Sequence, residues 1–151
     1  MRFVAASAVA VLFALLMPMR AGAVLGGPAA TVDADQARLK AVRAATSQSN
    51  YTVHELTEAS GTVVREFVNK STGKVFAVSW RGPFMPDLQQ LLGDHYSTFK
   101  EAAGREGVGR GAVAVDQPGL VVRSGGHMRA FSGLAYVPDQ LPQGVQVEDL
   151  R

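Results

Sequence analysis

The chain has 151 residues, with 15 Lys plus Arg, 13 Asp plus Glu and no Cys. Length favours one domain, and the lack of thiols excludes a disulfide framework, a zinc ribbon and a thiol nucleophile. A net charge of +2 is too small a surplus to act as an electrostatic footprint for nucleic acid.

Residues 1–23 read as a secretory signal peptide. Met1 and Arg2 make a positive start, Val4 to Met17 is apolar apart from Ser7, and Ala21-Gly22-Ala23 is a small-residue cleavage pattern. As a helix the apolar run would span roughly 21 Å, short of the roughly 30 Å hydrocarbon core of a bilayer. Cleavage after Ala23 would remove Arg2 and Arg20 and leave 13 basic against 13 acidic side chains. The expectation is therefore a neutral protein exported to the periplasm or the medium, with no membrane span after cleavage.

Residues 24–50 read as an N-terminal arm: Gly26, Gly27 and Pro28, then an Ala-rich weak helix over 31–45, then a polar linker, Ser47 to Asn50. The single α+β domain is expected over 51–151. Tyr51–Thr57, Thr62–Asn69 and Val75–Trp80 read as a three-stranded antiparallel meander. A three-residue loop, Ala59-Ser60-Gly61, sets Glu55 opposite Arg65, His54 opposite Glu66 and Leu56 opposite Val64. A second such loop, Ser71-Thr72-Gly73, sets Val68 against Phe76 and Val64 against Trp80, so that Leu56, Val64, Val68, Phe76, Val78 and Trp80 share one face with His54 and Glu66 in its middle.

Asp87 is the expected N-cap of a helix running to about Ala103, with Leu88, Leu91, Leu92, His95, Phe99 and Ala102 along one stripe. The glycine-rich GREGVGRG stretch over 104–111 follows as a connection. It is no phosphate loop, because it leaves a helix instead of opening one. Ala112–Val115 and Leu120–Ser124 flank a turn at Asp116 to Gly119, and Gly125-Gly126 reads as a two-residue hairpin turn pairing Val122 with Arg129. The fold class is thus α+β: an antiparallel sheet of about five or six strands with one main helix packed on one face.

A carboxylate opposite an imidazole raises the imidazole pKa and holds its tautomer, so His54 and Glu66 are the catalytic candidates, with His127 and Arg129 from the second hairpin. The alternative is a structural cross-strand pair. Trp80, Phe84 and Met85, beside Pro83 and Pro86, could present an apolar contact surface together with His127 and Arg129. The three histidines share no metal-ligand spacing, so no metal or other cofactor is expected. No serine lies in a Gly-x-Ser-x-Gly elbow.

In order behind the leader, YTVHEL, SGTVVREFV, GKVFAVSWRGP, PDLQQLLG and SGGHMRAFSGLAYVP resemble a family of small exported proteobacterial proteins classed as a domain of unknown function. The resemblance runs from about Leu25 to Arg151, and PDLQQLLG and SGGHMRAF are its most specific parts. It implies a Gram-negative source and export, and it transfers no activity. The expectation is a non-catalytic module that binds a protein or envelope component. The alternative is a small hydrolase-type enzyme using His54 and Glu66, which requires the candidate groups to converge in one pocket.

Overall fold

The computed structural model describes residues 24–105 and 112–150. The leader assigned to 1–23 and residues 106–111 of the glycine-rich connection lie outside them. Seven strands form one antiparallel sheet: β1 (Val42–Ser47), β2 (Tyr51–Thr57), β3 (Val63–Asn69), β4 (Val75–Gly82), β5 (Ala112–Gln117), β6 (Leu120–His127) and β7 (Ala130–Tyr136), in the spatial order β1-β2-β3-β4-β7-β6-β5. Helix α1 (Thr31–Leu39) precedes the sheet, and α2 (Leu88–Leu92) and α3 (Tyr96–Arg105) lie between β4 and β5.

The strand beyond the expected five or six is β1. Residues 42–47 pair with β2 from Val42↔Thr57 to Ser47↔Thr52, whereas their Ala and Arg content suggested the end of a weak helix and a linker. An edge strand with one paired side and mostly exposed side chains carries little hydrophobic alternation, so tertiary pairing overrides local propensity there. The arm before it is tied down: Gly26 N–H donates to Val75 O (2.8 Å), Val75 N–H to Gly27 O (2.9 Å) and Leu25 N–H to Leu91 O (3.1 Å).

The β2–β3 register is the expected one, including His54↔Glu66 and Leu56↔Val64, because Gly61 at φ 88° closes the turn. The β3–β4 register departs at its start. Val68 pairs with Val75, not Phe76, and the register shifts before Phe67↔Ala77. A bulge here places Phe76 on the opposite face from Val78 and Trp80. At the second hairpin, Gly125 and Gly126 lie within the strand and Met128-Arg129 is the turn, with His127↔Ala130 and Val122↔Ala135. The expected register would have set Arg129 against the buried Val122. The observed one sets apolar against apolar.

Asp87 caps α2 as expected, its carboxylate accepting from Gln89 N–H (2.9 Å) and Gln90 N–H (3.2 Å). The helix is not continuous to Ala103, because Gly93 at φ 49° interrupts it with a 3₁₀ turn over Gly93–His95. The larger core lies between these helices and one face of the sheet and includes Val32, Leu56, Val64, Val78, Trp80, Leu91, Leu92, Phe99, Val122 and Ala135. The C-terminal segment covers part of the other face, where Leu150 is buried with Phe67, Phe76 and Leu134. Phe67 and Phe76 pack with Tyr51 at ring separations of 5.9 to 6.2 Å.

Candidate functional site

The sequence candidates fall in two separate places. On the helix-covered face, His54 lies across from Glu66 on β3 and from Ala45 on β1. Strand alternation brings Arg43, opposite Leu56, to the same face. The Arg43 guanidinium donates from Nε (3.3 Å) and Nη2 (3.1 Å) toward His54 Nδ1, and it pairs through Nη1 with Asp33 of α1. Guanidinium has no acceptor. Nδ1 must therefore hold the lone pair, and the neutral ring carries its proton on Nε2. Burial, then the Arg43 charge, push the His54 pKa down, with Asp33 opposing.

Glu66 is fully buried and neither of its carboxyl oxygens has a hydrogen-bond partner. Burial pushes its pKa up to about 8, the nearby Asp35 carboxyl adds to this, and Arg43 opposes it. At neutral pH the group is therefore mainly a neutral acid. Asp35 is itself buried on α1; one oxygen accepts from Gln90 Nε2 (2.5 Å) and the other has no partner. Its pKa is raised, by burial first, with the Gln90 bond and Arg38 opposing.

The expected relay does not form in this arrangement. A carboxylate that orients a base must bond the imidazole and raise its pKa. Here Glu66 bonds nothing, and the His54 pKa falls. The outward lone pair a base needs is held at Nδ1 by Arg43. His127 is also far away: β6 lies four interstrand spacings from β2, about 19 Å, and His127 lies about 17 Å further along β6 than Val122, the residue level with His54. His127 and Arg129 stand exposed at the hairpin turn, and Arg129 takes φ 66°. No group of three or more His, Cys, Asp or Glu that could hold a metal occurs among the described residues.

The second place is the end of the sheet where β4 stops and the β6–β7 turn projects, with Gly82 paired to Phe131. Trp80 does not belong to its surface. It is 2% exposed, because alternation turns it to the helix-covered face, where its ring fills the space that Gly133 leaves: a Cβ there would sit 2.2 Å from the indole. Phe84 and Met85, by contrast, are 61% and 40% exposed, and Met128 at the adjoining turn is 88% exposed. Phe84 is displayed from a held backbone. The hydroxyl of buried Thr62 donates to Phe84 O (3.1 Å) and accepts from Phe84 N–H (3.4 Å). Arg81, His127 and Arg129 are also exposed at this end of the sheet. Val42, 77% exposed, starts β1 at the same end, three strands away from β4.

The sequence reading omitted Asp33, Asp35 and Arg43. Asp35 carried a signal, since Val32, Asp35 and Leu39 share one helical stripe and an acid on such a stripe marks a buried carboxyl. Arg43 carried none without β1.

Fold and site together define an α+β protein built on one antiparallel sheet, with Glu66 and Asp35 buried under helices and exposed apolar side chains at one end. The chain matches the family described as Protein of unknown function (DUF2844) over residues 21–150 and belongs to it. No curated protein and no solved structure matches it.

Proposed function

We propose that the protein is an exported, non-catalytic interaction module of the cell envelope. Its contact surface is the sheet end carrying Phe84, Met85 and Met128, and its partner is a protein with a complementary apolar patch. The observation that carries this reading is the display of Phe84: a large ring held in solvent by a backbone clamped to a buried threonine. Large apolar side chains kept exposed on a held backbone mark an interaction surface. Met128 and Met85 add side chains that adapt to a partner's contours, and Arg81 and Arg129 supply a polar rim. Export is supported by the 1–23 pattern, and a proteobacterial source by the motif resemblance. Among the described residues no helix is long and apolar enough to cross a membrane.

Affinity capture from the envelope fraction tests the proposal by comparing the wild type with a Phe84→Ser, Met128→Ser double variant. A specific partner lost by the double variant, with its thermal unfolding unchanged, is the expected result. Equal capture by both proteins would move the binding surface elsewhere.

A further inference from the structure

The sheet is open, and β1 is one of its two edges. Hydrogen bonds at the turns fix which way its backbone points. Gln48 N–H donates to Tyr51 O (2.8 Å) and closes the β1–β2 turn, and Glu58 N–H donates to Thr62 O (2.9 Å) and closes the next one. Bonded and non-bonded pairs alternate along an antiparallel ladder. Val42, Ala44 and Thr46 therefore bond to β2, whereas the N–H and C=O groups of Arg43, Ala45 and Ser47 point away from it. Among the described residues none of those three makes a further backbone bond.

Strand edges left in solvent are usually blunted by proline, a bulge or a free charge. β1 has neither proline nor a register shift, and its one charge, Arg43, is engaged by Asp33. Nor does α1 cover the edge. It packs on β2, and Ala45 and Ser47, which face the same side of the sheet, stay exposed.

We propose that β1 pairs antiparallel with β1 of a second copy of this chain about a two-fold axis at Ala45, joining the two sheets edge to edge. The occupant follows from the self-complementarity of the edge. Outward groups must meet outward groups, so only Arg43, Ala45 and Ser47 can bond across the axis. Centring on Ala45 satisfies all three on both copies: Ala45 meets Ala45, and Arg43 meets Ser47. Centring on Arg43 would oppose two guanidinium groups, and centring on Ser47 would leave Arg43 without a partner strand. The Ala45 register puts the smallest side chains at the axis and faces no like charges. Space also allows it. Three interstrand spacings, about 14 Å, separate β2 from its copy, more than the roughly 8–10 Å at which helices pack, so each α1 keeps its place. One short strand pair is a small interface, and the association is accordingly weak. The pairing does not depend on the Phe84 surface, which lies on the far side of β4.

Sedimentation equilibrium tests the association, and single-cysteine variants test the register. The mass should rise with concentration toward twice that of one chain. The protein has no Cys, so Ala45→Cys and Thr46→Cys each supply one thiol. The two copies of position 45 would stand about 5.5 Å apart, within disulfide reach. Those of position 46 would stand about 8 Å apart, beyond it. Mild oxidation should therefore link Ala45→Cys into a covalent dimer at least about tenfold faster than Thr46→Cys. Ala45→Lys sets two ammonium groups face to face at the axis and should weaken association at least about tenfold, with circular dichroism and unfolding midpoint unchanged. Should that variant fail to fold, the two cysteine variants decide. The proposal is overturned by a protein that stays monomeric up to about 1 mM, by equal cross-linking at 45 and 46, or by association that a folded Ala45→Lys leaves intact.

Discussion

Glu66 is the residue with the largest departure from ordinary chemistry, and its consequence is thermodynamic. Its folded pKa of about 8 lies above the usual 4.5, so between those values the folded protein holds a proton that the unfolded chain has released. Stability then falls as pH rises from about 4.5 to 8, by a few kcal/mol in order of magnitude. The raised pKa of Asp35 acts in the same direction. The depressed pKa of His54 acts oppositely and below about 6.5, where the unfolded chain takes up the proton first. Glu66→Gln should flatten the alkaline decline, so that its midpoint of thermal unfolding exceeds that of wild type at pH 9. An unchanged slope would place the titration elsewhere. The His54↔Glu66 register was legible in the sequence, since a single glycine turn determines it. The chemistry of the pair was not, because the groups that set it, Arg43 and Asp35, come from β1 and α1, which pack onto this face from elsewhere.

At the scale of elements, glycines mark both what the sequence reveals and what it conceals. Gly61 acts through positive φ at a turn, which local pattern detects, whereas the positive φ of Gly93 breaks a helix whose apolar stripe reads as continuous. Gly125, Gly126 and Gly133 look like turn residues but lie in strands. Gly133 is there for space, with the indole of Trp80 seated against it. Gly133→Ala should therefore cost about 1–3 kcal/mol by overpacking. Trp80 is the sole tryptophan, so its fluorescence reports the same event: a red shift in native emission should accompany the lower unfolding midpoint. A fully stable Gly133→Ala protein with unaltered emission would contradict this packing. The turn at Met128-Arg129 shows the same lesson from the other side. Sequence pattern favours Gly-Gly as a hairpin turn, yet matching of apolar residues across β6 and β7 moves the turn outward and leaves Met128 exposed.

For the molecule as a whole, the sheet separates two surfaces. Its helix-covered face buries Glu66 and Asp35 and half-covers His54, while one end carries an apolar display. The fold class, the capped helix and most of the central register were readable, because hydrophobic alternation and turn residues are local signals. The edge strand and the burial of Trp80 were not, because they depend on which elements meet. Contact of Phe84 and Met128 with a partner is the central proposal. Its most direct test is a photo-cross-linking amino acid placed at position 84 or 128, with exposed Thr46 on the edge strand as control, expressed in the organism that encodes the protein. A common adduct of defined mass is expected from positions 84 and 128 and not from 46. Absence of an adduct at 84 and 128, or the same adduct from all three positions, would contradict it.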